Sequence, residues 1–402
     1  MCSQANQLYS ARMNDRNDIP GQRHDGLTAP DYHEIGRSIR SVDRAISDLR
    51  RGLPVVVAAG GFEYVVAVPA EQVTKDTADF LSEIGDVPPV MVITAERAAV
   101  LHIPPSGAAV TALQIENRLV PAAIRELADP TTDLDHPLRG PFSVMEAPPS
   151  QASSAAVELC KLAKLLPAVV TATVRNVENQ HAGDFAISHD MMLVSVESIL
   201  TYQTDTSDTL VRVTSARVPL AGSELAEIVA FRPRDGGIEH LAIIIGEPSR
   251  RSAVLTRLHS ECFTGDLLES LRCDCGTQLR AAVDLLTKEG GGALLYLAQE
   301  GRGIGLINKL RAYRLQDQGF DTYDANERLG FEADERIFEP AAQMLQLLGI
   351  SRVRLLTNNP KKVAGLVQCG IDVAERVPHA FPANPHNAHY LDAKSKRAGH
   401  EF

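Results

Sequence analysis

No single hydrophobic core comfortably organises 402 residues, so the chain is read as two domains, and an apolar fraction of 44% is enough to fill both. Residues 1–38 are polar, without a sustained period, and are expected to form a disordered arm. In IRSVDRAISDLRRG the spacing of Ile39, Val42, Ile46 and Leu49 predicts a helix, with Gly52 placed to stop it. The apolar runs LPVVVAA and YVVAVPA, parted by glycines, read as paired strands. Helical and strand-like segments then alternate through AAVELCKLAKLL, PAVVTATV and MLVSVESILTYQ, an α/β pattern. Thr204 to Asp208 is the expected linker, which gives domains at 39–204 and 205–402. A second series of strands and helices follows it, including AVLTRLHS, TQLRAAVDLLTKEG and INKLRAYRLQDQG.

Several function classes are excluded at this level. No run of eighteen apolar residues exists, and MCSQANQLYSARMNDRNDIPGQRHDG offers no secretory signal, so the cytoplasm is the expected compartment. A net charge of -11 argues against broad binding to nucleic acid or to an anionic membrane, both of which need an excess of Lys and Arg. Any anionic ligand must therefore be held by a local basic site. Six cysteines are too few for a disulfide scaffold, and Cys2, Cys160 and Cys369 are scattered.

The other three, Cys262, Cys273 and Cys275, form C-x10-C-x-C in RLHSECFTGDLLESLRCDCGTQL. Thiolates are soft anionic ligands suited to zinc, and three of them with a water complete a catalytic tetrahedron. His259 is an alternative fourth ligand, which would make the site closed and structural. Zinc lowers the pKa of bound water to about 7 and so favours hydrolysis at an electron-poor carbon.

Two further segments bear on anions. In LLYLAQEGRGIGLINKLRAY, Gly301, Gly303 and Gly305 fall between a strand and a helix, where backbone N–H groups can approach phosphate oxygens; a plain strand-to-helix turn is the other reading. In VRLLTNNPKKVAGL, Lys361 and Lys362 occupy a first helical turn, against the helix dipole unless an anion is bound or the lysines reach solvent. Asp334 and Arg336, in GFEADERIF, would share a face of a strand and converge, or else be surface charge.

Taken in order, RLHSECFTGDLLESLRCDCGTQL, QEGRGIGLINKLRAYRLQDQGFDTYDAN, LGFEADER and LLTNNPKKV closely resemble GTP cyclohydrolase II over residues 205–402. The resemblance implies a three-layer α/β domain in a homodimer. It implies one zinc per subunit on Cys262, Cys273 and Cys275, and magnesium travelling with the phosphates of GTP. Arg257, Leu258, His259, Ser260 and Glu261 then belong to the nucleotide pocket with Gln278, Glu300, Gly301, Arg302, Thr322, Thr357 and Lys362. Glu300 suits the guanine edge; Arg257, Arg302 and Lys362 suit the triphosphate. The family assigns Asp334 as proton acceptor and Arg336 as nucleophile at phosphorus, although a guanidinium is hardly ever deprotonated, and charge stabilisation accounts for it equally well. Tyr313 matches the tyrosine of members that complete formate release, the products being formate, diphosphate and a diaminopyrimidine of riboflavin synthesis. The alternatives are a related cyclohydrolase stopping at the formamide and a GTP-binding regulator without catalysis.

Residues 39–204 resemble 3,4-dihydroxy-2-butanone 4-phosphate synthase, an α+β domain, through DRAISDLRRGLPVVV, PAEQVTKDTADFL, VITAERAAVLHI and AAVELCKLAKLLPAVV. The match departs where that enzyme binds metal. AAGGFEYVVAV carries one acid, Glu63, and no arginine; the expected histidine is replaced around Ala152 to Ser154, and the expected glutamate falls near Thr173. This domain is therefore expected to be degenerate and non-catalytic.

Overall fold

The computed structural model describes residues 29–60, 62–105, 107–115, 120–137, 139–174, 181–249, 251–387 and 397. The chain divides into two compact units, Met1–Tyr202 and Gln203–Phe402. Residues 1–28 of the expected arm, with Cys2, lie outside the described residues.

Helix α1 (Ala29–Arg50) buries Ile39, Val42, Ile46 and Leu49 on one face and ends before Gly52, whose φ is 75°. Its start at Ala29 corrects the expected arm, because residues 29–38 are helical. Each residue added to an anchored helix gains one hydrogen bond, so the packed turns from Ile39 onward carry polar residues with them. The unit continues through β1 (Val55–Gly60), β2 (Glu63–Pro69), α2 (Lys75–Ile84), β3 (Val90–Thr94), α3 (Ala95–Val100), β4 (Val110–Gln114), α4 (Pro121–Ala128), α5 (Gln151–Leu162), β5 (Ala168–Thr173), α6 (Ala182–Ser188) and β6 (Met192–Ser195). The strands form one sheet, β4-β3-β5-β2-β1-β6, antiparallel except for the β1–β6 pair. Helices α1 and α5 share its core, where Ala155, Val157, Leu159 and Cys160 pack against Val55, Val57 and Val169. Cys160 is a buried apolar contact, and desolvation pushes its thiol well above the ordinary range.

The expected linker is corrected as well. Thr204 to Asp208 is the end of helix α7 (Val196–Asp208), which starts under a Ser195 cap accepting from the Ser198 amide at 3.1 Å. Its Thr, Ser and Asp composition suits a loop, yet Asp205 and Ser207 are buried, and the Ser207 hydroxyl donates to the Gln203 carbonyl at 2.7 Å.

The second unit is a seven-stranded mixed sheet. A meander of β7 (Leu210–Arg217), β8 (Ala226–Pro233) and β9 (His240–Gly246) leads to β10 (Val254–Ser260), α8 (Cys275–Lys288), β11 (Gly291–Leu297), α9 (Leu306–Asp317), α10 (Thr322–Arg328), α11 (Glu339–Leu347), β12 (Arg352–Leu356), α12 (Pro360–Gln368) and β13 (Asp372–Val377). The order is β13-β12-β10-β11-β9-β8-β7, with β13, β12, β10 and β11 parallel and the others antiparallel. Successive side chains of a strand point to opposite faces, and both faces are covered. Leu255 and Leu294 pack on Ala282 and Leu286 of α8, whereas Leu258 and Leu295 pack in the cluster of Ala341, Met344 and Leu345 of α11 and Leu366 of α12. The expected α/β class and its three layers are therefore present. The chain leaves β10 for β11 on one side and places β12 on the other, a switch point at which α/β sheets open a crevice outside the strand ends. No helix among the described residues is long and apolar enough to cross a membrane.

Candidate active site

Strands β12, β10 and β11 end side by side, and the loop after each carries part of the expected site. These loops line one cleft of about 1270 Å³, counting the space open to solvent. Every residue expected at the site lines it except Leu258. Alternation along β10 turns Arg257 and His259 toward α8 and buries the Leu258 side chain in the core on the other face, leaving its carbonyl, which accepts from Lys362, as its link to the site.

After Cys262 the chain makes one π turn, Phe263–Leu267, and Cys275 opens α8. The three sulfurs lie within 4.8 Å of one another, with Cys262 Sγ 3.8 Å from Cys273 Sγ. A tetrahedral zinc with bonds of about 2.3 Å to sulfur sets its sulfurs roughly 3.8 Å apart. The donor set and its spacing fit. Gly265 provides the room, since a Cβ there would lie 2.7 Å from Cys273 Sγ and 3.0 Å from Cys262 Sγ. Hydrogen bonds from the thiols of Cys273 and Cys275, helped by the charge of Lys309, hold the Cys262 thiol far below its ordinary pKa against burial; the same bond pushes Cys273 up to about 11.

His259 is not a member of this cluster. Its Nε2 meets Asp266 Oδ1 at 3.0 Å, and Asp266 Oδ2 accepts from the Cys262 amide at 3.0 Å and from the Tyr296 hydroxyl at 2.9 Å. An ionised carboxylate only accepts, so Nε2 carries the proton and Nδ1 is left as an acceptor. That Nδ1 is buried without a hydrogen-bond partner. Burial lowers the His259 pKa by more than Asp266 raises it, in keeping with a neutral ring.

The far end of the cleft is basic. The Arg257 guanidinium is buried, donating to the Leu356 carbonyl at 2.9 Å and to Gln278 Oε1 at 2.5 Å. Lys362 is buried at the start of α12 and donates to the Leu258 carbonyl at 2.7 Å, while Lys361 beside it is exposed. Thr357 accepts from the Asn359 amide at 3.0 Å, and Thr322, at the start of α10, faces Gln316 Nε2 at 3.3 Å. Asp334 and Arg336 do converge, through bonds of 2.7 and 2.5 Å, but from a loop rather than the expected strand. The bidentate pair forms because two residues of extended loop place the side chains together without a sheet. Desolvation raises the Asp334 pKa, but the charge and hydrogen bonds of Arg336, with Arg302 nearby, outweigh it and hold the carboxyl below its usual range.

Of the two expected readings of the glycine segment, its hydrogen bonds take the form of the strand-to-helix turn. The Gly301 amide donates to Glu300 Oε1 at 2.8 Å, Gly303 to the Gln299 carbonyl at 3.3 Å and Gly305 to the Glu300 carbonyl at 3.0 Å. These N–H groups are engaged within the turn itself. The glycines answer two other needs. Gly301 has a φ of 64°, and Gly303 has a φ of 96° and comes so close to the 331–337 loop that a Cβ would lie 2.7 Å from the Glu335 carbonyl oxygen. Arg302 also sits at a φ of 61°, with its guanidinium 4.6 Å from the centre of the Tyr323 ring.

Glu300 is occupied by the protein: Oε1 accepts from Lys309 Nζ at 2.9 Å and Oε2 from the Phe263 amide at 2.6 Å. Glu261, also in the cleft, has no side-chain hydrogen bond to the described residues, and burial raises its pKa, with the charges of Glu300 and Asp266 adding to the effect. Sequence reasoning did not single out Lys309, Asp266, Thr264 or Gly265. Lys309 lies in the quoted segment INKLRAY, where nothing but a cation one turn into a helix marks it.

Fold and cleft describe an α/β protein whose three-cysteine cluster and basic end share one crevice. The family model described as GTP cyclohydrolase II matches residues 205–378. GTP cyclohydrolase-2 of Azospirillum brasilense is 50% identical over 365 residues, 91% of this chain and 94% of that protein. GTP cyclohydrolase-2 of Shigella boydii is 53% identical over 191 residues, 48% of this chain and 97% of its own length. The riboflavin biosynthesis protein RibBA of a Synechocystis strain is 45% identical over 255 residues, 62% of this chain and 46% of that protein. A two-domain 3,4-dihydroxy-2-butanone 4-phosphate synthase from A. baumannii is similar in structure at a TM-score of 0.35 and 18% identity, covering 85% of this chain and 99% of that one. The chain belongs to the GTP cyclohydrolase II family of enzymes.

Proposed function

We propose that this chain hydrolyses GTP to a diaminopyrimidine ribonucleotide, formate and diphosphate, the reaction that opens riboflavin synthesis. The observation that carries the reading is the three-cysteine cradle opening into the same cleft as the Asp334–Arg336 pair and Lys362. Zinc, held by Cys262, Cys273 and Cys275, would supply a Lewis acid and an activated water at neutral pH.

The protein's own residues supply the rest. Guanine presents N1–H and N2–H donors, and with Glu300 engaged by Lys309 and Phe263, Glu261 is the carboxylate ready to accept them. Arg257, Arg302, Arg336 and Lys362 neutralise the triphosphate, which travels with magnesium. Arg336 stays protonated against an ionised Asp334, so it stabilises the departing diphosphate rather than attacking phosphorus. Tyr313, lining the cleft with its hydroxyl 3.4 Å from Thr264 Oγ1, supports the second hydrolysis that frees formate.

Residues 39–204 form a non-catalytic synthase-like domain in this reading. Phe62 and Glu63 stand where that chemistry needs several acids, and Ala152, Ser153 and Ser154 are buried in the first turn of α5 where it needs a histidine. Purified protein given GTP, zinc and magnesium should yield formate, diphosphate and the diaminopyrimidine. Accumulation of a formylated product would overturn the role of Tyr313, and absence of any turnover would leave a GTP-binding regulator. The same preparation given ribulose 5-phosphate should release no dihydroxybutanone phosphate; its detection would refute the inactive first domain.

A further inference from the structure

Lys309 lies in the first turns of α9, and its side chain is 11% exposed. Its Nζ is 3.1 Å from Cys262 Sγ, 2.9 Å from Thr264 Oγ1 and 2.9 Å from Glu300 Oε1. An ammonium has three N–H donors and no acceptor, so these three partners account for all of them. Although Lys309 lines the cleft, no donor is left over for a phosphate or a base. Its chemistry is directed at the cysteine end.

That end has an electrostatic difficulty. Three thiolates around a dication leave a net negative centre, and strong donation from sulfur weakens the acidity for which a catalytic metal is used. An N–H bond to a thiolate withdraws electron density from that sulfur, and such outer contacts tune a metal as well as orient its ligands. We propose that Lys309 is a positioning residue that moderates the Cys262 thiolate, so that a metal held by three sulfurs keeps enough Lewis acidity to act at neutral pH. The same ammonium braces the turn. Through Glu300, whose other oxygen takes the Phe263 amide, it ties the chain that follows Cys262 to the loop after β11. Gly301 lets α9 approach that closely, since a Cβ there would lie 3.1 Å from Lys309 Cβ.

The inference rests on the reading of the cysteines as a metal site, and the test separates the two. The full chain is loaded with cobalt in place of zinc, and the thiolate-to-cobalt charge-transfer band is recorded for wild type, Lys309→Met and Lys309→Arg. Removing the N–H bond should make sulfur a better donor, moving the band of Lys309→Met to longer wavelength while Lys309→Arg stays near wild type. With zinc restored, Lys309→Met should bind one equivalent, lose about 10- to 100-fold in kcat with a much smaller change in KM, and shift the acid limb of its pH–rate profile to higher pH. An unmoved band with an unchanged pH profile overturns the proposal, as does a raised KM with kcat intact, which would make Lys309 a substrate contact. If Lys309→Met does not fold, Lys309→Leu, which likewise has no side-chain donor, is read in the same way. Failure of both neutral variants to fold, with Lys309→Arg folding, would assign a purely structural role and also overturn it. A wild-type chain that takes up no cobalt refutes the metal site itself.

Discussion

The cysteine cradle depends on a residue with no side chain. At Gly265 a Cβ would intrude between the sulfurs, at 2.7 Å from one and 3.0 Å from another. Gly265→Ala should therefore reduce bound metal from one equivalent per chain toward none by elemental analysis, whereas Gly183→Ala, with nothing within 4 Å, should leave it unchanged. Retained metal in Gly265→Ala would show that the turn relaxes around the methyl group. The cysteines were legible in the sequence because their chemistry and spacing are local. Lys309 and Asp266 were not, because their meaning comes from partners far along the chain. Lys309 finds Cys262 across 47 positions and Tyr296 reaches Asp266 across 30, and a lone Lys or Asp carries no mark of such a contact. Leu258 shows the opposite case, since strand alternation assigns its side chain to the core although its neighbours line the cleft.

At the scale of elements, the strands and most helices followed their periodicity, while loops and their uses were harder to read. A glycine string is equally compatible with approach to a phosphate, a left-handed turn, or contact with another loop. Here Gly303 meets the last two demands, and the loop it touches carries Asp334 and Arg336. Gly303→Ala would place a side chain in left-handed backbone, at a cost of roughly 1–2 kcal/mol, and push against the Glu335 carbonyl. The expected outcome is a lower melting temperature and a large loss of formate release with metal content retained. Loss of metal in parallel would mean that the displacement reaches the cradle. The missed start of α1 and the helical nature of residues 204–208 share one cause: polar residues satisfied within a helix have the composition of a loop.

For the molecule as a whole, buried histidines shape the response to acid: His259, whose pKa burial lowers, and two more, His240 and His379. His240 accepts the Ala298 amide and His379 meets the Gln278 carbonyl, and burial pushes each down from 6.5 to about 4. Their folded pKa lies below the unfolded one, so the stability they support is fully present above pH 6.5, falls as the pH drops through this window and levels off near 4. Each contributes on the order of 3 kcal/mol across it. Asp334, depressed for a different reason, adds its loss only at still lower pH. Urea unfolding at pH 7 and pH 5 should show the drop, and His240→Gln with His379→Gln should flatten it; an unchanged slope would exclude these groups as its source. The two-unit division was legible from the sequence, and the observed division after Tyr202 falls close to the expected boundary at 204, but the helical form of the join was not legible. The site draws on three crossovers around β10, and they do not appear at the same moment of synthesis. The three-cysteine cluster is complete at Cys275, while β11, β12 and the Thr357 and Lys362 that follow them are still to be made. On the proposed function, a nascent chain thus possesses the three cysteines of its metal site well before the basic end of its cleft, so metal capture precedes substrate competence as a matter of chain order alone.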